Sequence, residues 1–96
     1  MFNVPERERV WCYGTVDGRS VIIGGRYHHF KGKDYIVLGI GHDSETDEEV
    51  VIYQDEDTLD DEYATPCVRP LKMFLSEVDH EKYPDVEQKY RFDYNP

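Results

Sequence analysis

The stretch RYHHFKGKDYIVLGIG, residues 26–41, decides the fold class. Its first five residues are extended in character. Tyr27 and His29 fall in phase on one side and His28 on the other, because successive side chains of a strand point to opposite faces. Lys31-Gly32-Lys33 reads as a turn, with glycine free to take the backbone conformation that tight turns demand. The run from Asp34 to Gly41 is the strongest strand of the chain, and its near-continuous apolar character predicts burial on both faces. Strand, short turn and strand make an antiparallel hairpin.

Working outward, the same grammar repeats. Arg9 to Val16 is rich in β-formers, Asp17-Gly18 is a turn pair, and Ser20 to Ile23 returns, so a second hairpin precedes the first. Gly24-Gly25 separates the two. Beyond residue 41, His42 to Glu49 is polar and turn-like, Val50 to Gln54 is a strand, and Asp55 to Glu62 is an acidic loop. Tyr63 to Val68 re-enters the sheet, with Pro66 confining it to an edge or a strand start. Pro70 suits a first helical turn, and Leu71, Phe74 and Leu75 then fall on one side of a short helix. Lys89 to Tyr94 alternates apolar and charged residues and predicts a closing strand. The reading is all-β: a small SH3-like barrel or rolled antiparallel sheet of five to six short strands with one short helical turn. One domain is expected over residues 1–96, comprising an N-terminal hairpin extension (1–23), a core (24–78) and a C-terminal strand (79–96).

Composition narrows the function classes. Eight tyrosines, four phenylalanines and a tryptophan in 96 residues are too many for a disordered acidic tail. The longest apolar runs are far short of the roughly 20 residues of a membrane helix, and the N-terminus does not read as a signal peptide. Cys12 and Cys67 form no CxxC pair and read as reduced thiols, so a cytoplasmic location without membrane association is expected. The formal net charge is −10 and it is unevenly placed: residues 34–68 hold twelve acidic and no basic side chains. That pole would repel a nucleic acid, whose affinity rests on phosphate contacts. Residues 1–33 hold six basic against three acidic side chains.

The order of short motifs resembles a bacterial family known as domain of unknown function 1653. The run from Gly25 to Leu38 is similar to that family's opening. It is followed by Ser44-Glu45-Thr46, by Val50-Val51-Ile52-Tyr53-Gln54 and by Val68-Arg69-Pro70-Leu71-Lys72-Met73-Phe74. The resemblance covers about residues 24–78 and implies a small all-β domain similar to an SH3-like barrel, with no established activity. His29 falls at the family's histidine position. Two departures are Asp43 where the family usually has histidine, with His42 one place earlier, and Cys67 where it commonly has tryptophan.

Candidate chemistry is sparse. His29 can act as acid, base or ligand near neutral pH. Arg69, held extended by Pro70, offers a fork that fits a carboxylate or phosphate, with Glu45 or the acidic loop as its candidate internal partner. Tyr27 and Tyr53 belong to strands and can fill a core edge or line a groove. Histidines and carboxylates lack zinc spacing, the 55–62 loop lacks calcium-loop spacing, and no glycine cradle precedes a helix. No metal, cofactor or catalytic constellation is therefore expected. The first reading is a binding or protein-interaction module whose surface comprises Tyr27, His29, Glu45, Tyr53 and Arg69 and recognises a small ligand or protein segment. The alternative is an enzyme or enzyme accessory domain using His29 and Arg69 on a small anionic substrate. A third is an acidic nucleic-acid mimic that occupies a basic partner.

Overall fold

A computed structural model describes residues 12–16 by their backbone and residues 18–96 in full. Among the described residues, seven strands and one short α-helix follow in order: β1 (Cys12–Val16), β2 (Arg19–Ile22), β3 (Arg26–His29), β4 (Asp34–His42), β5 (Glu49–Asp55), β6 (Cys67–Pro70), α1 (Leu71–Phe74) and β7 (Phe92–Tyr94), with a 3-10 turn at Glu56–Thr58. β1 and β2 form a two-stranded antiparallel ribbon. The others make an open five-stranded sheet in the order β6-β5-β4-β3-β7. The fold is all-β, as its alternation predicts, and β6 and β7 are the two edges of the large sheet. Of the expected first strand, Arg9 to Trp11 lies outside the described residues, as does Asp17 of the turn pair.

The central hairpin forms where the sequence places it. His28 pairs with Asp34 and Arg26 with Ile36. The turn closes through bonds from the His29 N–H to the Lys33 carbonyl and from the Gly32 N–H to the His29 carbonyl, both 2.8 Å. Gly32 sits at φ +108°, a conformation that a Cβ would strain. β4 departs from expectation on one point. It is covered on one face only: Val37 is buried, while Leu38 is 44% exposed at a register shift between Val37 and Gly39. Its apolar run therefore continues onto the outer face of the sheet.

The inner face carries the core. Val21, Tyr27, Val37, Val51, Tyr53, Leu71, Phe74, Leu75 and Phe92 form one buried cluster. α1 and the segment after it lie against this face, so Leu71, Phe74 and Leu75 reach the core from one side of a single turn, as their spacing predicts. Phe74 and Phe92 stack with ring centroids 4.1 Å apart, and Tyr53 meets both edge-on. Arg19 ties β2 to the far elements by donating to the Leu75 carbonyl (2.6 Å) and the Phe92 carbonyl (3.3 Å), with its guanidinium 3.5 Å from the centroid of the Tyr90 ring.

β6 is shorter than the sequence predicts. It starts at Cys67, directly after Pro66, which has no N–H to give to a ladder. β7 likewise starts at Phe92; before it, Tyr90 bridges Glu77 outside the sheet, the Phe30 N–H donates to the Arg91 carbonyl (3.2 Å), and the Gln88 side chain donates to the His28 carbonyl of β3 (3.0 Å).

Gly25 is a close-approach point between the ribbon and the sheet. A Cβ there would lie 2.9 Å from the Ile22 carbonyl oxygen, 3.1 Å from the Tyr27 ring and 3.2 Å from the Tyr94 ring. Gly25→Ala is accordingly expected to cost about 1–3 kcal/mol, the usual range for overpacking. Thermal denaturation checks this; an unchanged midpoint would mean that the Ile22 carbonyl yields freely.

Candidate functional site

β3, β6 and the chain leading into β7 bring their inner-face residues to one end of the sheet, where a cleft of about 230 Å³ opens. It is lined by His29, Phe30, Lys31, Tyr35, Tyr53, Arg69, Tyr83, Arg91 and Phe92. Each position follows from register. His29 pairs with Phe92 across β3 and β7, and Arg69 pairs with Val51, a core residue, so that Arg69 faces inward. Lys31 stands in the turn after β3, and Arg91 immediately precedes β7.

Three cations and no carboxylate line this space. The setting makes that notable, because the chain has 21 acidic and 11 basic side chains. The arginines divide accordingly. Arg26 pairs with Asp34 and Glu56, each at 2.9 Å, and Arg19 donates both Nη atoms to two carbonyls. Arg69 instead donates only its Nε, to the Tyr53 hydroxyl at 3.1 Å, and Arg91 only its Nε, to the Ser76 Oγ at 3.2 Å. Both Nη ends of Arg69 and of Arg91 have no acceptor among the described residues. The Arg69 guanidinium is further held 5.6 Å from the centroid of the Phe92 ring. Two forks are thus oriented by their inner nitrogens, with their outer nitrogens left for something else.

The neighbours report the same positive field. His29 is pushed down to about 4, first by burial and then by the charges of Arg69, Arg91 and Lys31. It is therefore neutral at physiological pH. Its Nδ1 accepts from the Lys31 N–H at 3.1 Å, which places the remaining ring proton on Nε2 and makes that atom a donor. Tyr83 is held below the usual range of a phenol by its hydrogen bond from Lys31. Burial raises Tyr35 above its ordinary value. The cleft offers donors from Arg69, Arg91, Lys31 and His29, over a floor of buried rings.

Of the residues singled out from sequence, His29, Tyr53 and Arg69 come together here. Tyr27 does not: it is 2% exposed in the core, its hydroxyl accepting from the Ile22 N–H. Glu45 also lies apart, in the exposed turn between β4 and β5, its N–H donating to Asp43. The partner of Arg69 is Tyr53 rather than Glu45. Arg91, Tyr83 and Phe92 were not legible as site residues, since only the β3–β7 pairing and the return of residues 79–91 bring them near His29. Among the described residues, no three metal-ligating side chains cluster, and no helix is long and apolar enough to cross a membrane.

Comparison with known families agrees with the sequence motifs. The family described as protein of unknown function (DUF1653) matches residues 25–94, which extends the resemblance through β7 and takes in every residue of the cleft. No curated protein and no solved structure matches the chain.

Proposed function

The chain belongs to the DUF1653 family, and we propose that it is a binding module whose cleft captures the anionic group of a small ligand or of a partner segment. One observation carries this: Arg69 and Arg91, each tethered through Nε and with no acceptor at Nη among the described residues, line one cleft that holds no carboxylate. Gathering like charges is unfavourable, and an anion seated among them offsets that cost through charge-assisted hydrogen bonds. The acidic surface elsewhere would exclude polyanions while the cleft concentrates small ones. A cytoplasmic setting fits a chain with an exposed free thiol at Cys67.

Thermal denaturation in acetate, sulfate, phosphate and chloride at equal ionic strength tests the reading. At least one oxyanion should raise the midpoint of the wild type relative to chloride, increasingly with concentration. In Arg69→Gln, which keeps a donor for Tyr53, the apparent affinity should fall by about tenfold or more, in line with loss of a charged hydrogen-bond partner. No stabilisation of the wild type by any oxyanion would refute the proposal.

A further inference from the structure

Resting on that reading, we infer that the cleft is built for a phosphoryl group, a tetrahedral dianion, rather than for a carboxylate. The argument is one of charge and direction. A carboxylate carries one negative charge and presents two oxygens in one plane, both of which a single guanidinium fork satisfies. Seating a carboxylate on Arg69 would leave Arg91 and Lys31 uncompensated. The three cations instead arrive from three separate parts of the fold: β6, the chain before β7, and the turn after β3. Donors converging from three sides match the three free oxygens of a phosphate monoester, and a charge near −2 neutralises most of what they bring. His29 adds a donor without adding charge, since its Nδ1 is occupied by the Lys31 N–H. The fourth substituent of the phosphorus would leave through the open side of the cleft.

The remaining titratable groups facing His29 and the cleft are Lys31, Arg69, Arg91 and the phenols of Tyr35, Tyr53 and Tyr83; His28, on the opposite face of β3 and paired with Asp34, acts on His29 by its charge alone. Calorimetric titration of the wild type with methyl phosphate, acetate and sulfate at pH 5 and pH 7 separates their contribution from the ligand's. The second ionisation of a phosphate monoester lies near 6, so its dianionic fraction grows about tenfold over that interval. Sulfate keeps its charge throughout and registers any change in the protein. The expected result is methyl phosphate binding about tenfold tighter at pH 7 than at pH 5, relative to sulfate. At pH 7 it should also bind at least tenfold tighter than acetate, with both advantages lost in Arg69→Gln and in Arg91→Gln. Acetate binding as well as methyl phosphate, or a phosphate affinity that follows sulfate between the two pH values, would overturn the phosphoryl assignment and leave the anion site standing. Absence of binding by all three would remove both. A phosphoserine tripeptide in the same series distinguishes the source: binding well above that of methyl phosphate marks a phosphorylated chain, and equal binding marks a small phosphate monoester.

Discussion

Replacing Phe92 by alanine is expected to remove about 3–5 kcal/mol of folding stability, the usual cost of deleting a buried aromatic ring. The side chain is 1% exposed, stacks on Phe74, and meets the rings of His29, Tyr35 and Tyr53 edge-on. Its loss opens a void against these four rings. A domain of this length holds on the order of 5–14 kcal/mol in all, so the variant would keep little reserve. The midpoint of thermal unfolding should fall by about 12–40 °C, at about 4–8 °C per kcal/mol. Phe92→Leu, which keeps most of the volume, should cost clearly less. Urea titration of both variants decides the point. A loss below about 1 kcal/mol for the alanine variant would show that β7 does not fold cooperatively with the rest of the sheet.

The second large effect is on the pH dependence of stability. His29 titrates near 6.5 in an unfolded chain and about 4 in the folded one. Burial and the adjacent cations disfavour its charged form, so the unfolded state takes up the proton first as the pH falls. The folded state therefore keeps its full advantage above about pH 6.5 and loses it progressively down to about pH 4. A fully enclosed group shifted this far would account for about 3 kcal/mol. The ring is only partly enclosed at the cleft, and solvent screening reduces the expectation to about 1–2 kcal/mol. His29→Asn, whose side-chain oxygen can accept from the Lys31 N–H as Nδ1 does, should lack this component. Chemical denaturation at pH 7 and pH 4.5 then predicts a loss for the wild type exceeding that of the variant by this amount. Equal losses in the two proteins would show that another group governs the acid limb.

The same histidine shows how far the sequence reaches. Strand alternation puts Tyr27 and His29 on one face of β3, which holds in the structure. It does not say that the ribbon and Tyr94 close over Tyr27, leaving His29 at the open end. Arg69 was legible as an anion-seeking residue next to a proline. Its actual partner, the Tyr53 hydroxyl, depends on the inward register it shares with Val51 on β5. Glu45 is an equally available partner in sequence, but its turn stands apart from the cleft.

What the sequence alone determined is local: the all-β class, the hairpin turned by Gly32, the one-sided helix turn after Pro70, and the placement of negative charge between residues 34 and 68. These follow from side-chain alternation, turn conformation and composition, each contained within a few neighbouring residues. The tertiary structure alone decided that β7 pairs with β3, although more than 60 residues of chain separate their starts. That pairing puts Phe92 opposite His29 and brings Arg91 into the cleft that Arg69 and Lys31 line. Strand pairing at such separation is selected by burial of the whole inner face, with Phe92 against Phe74 at its centre. No short stretch encodes it, and the cleft exists only because of it.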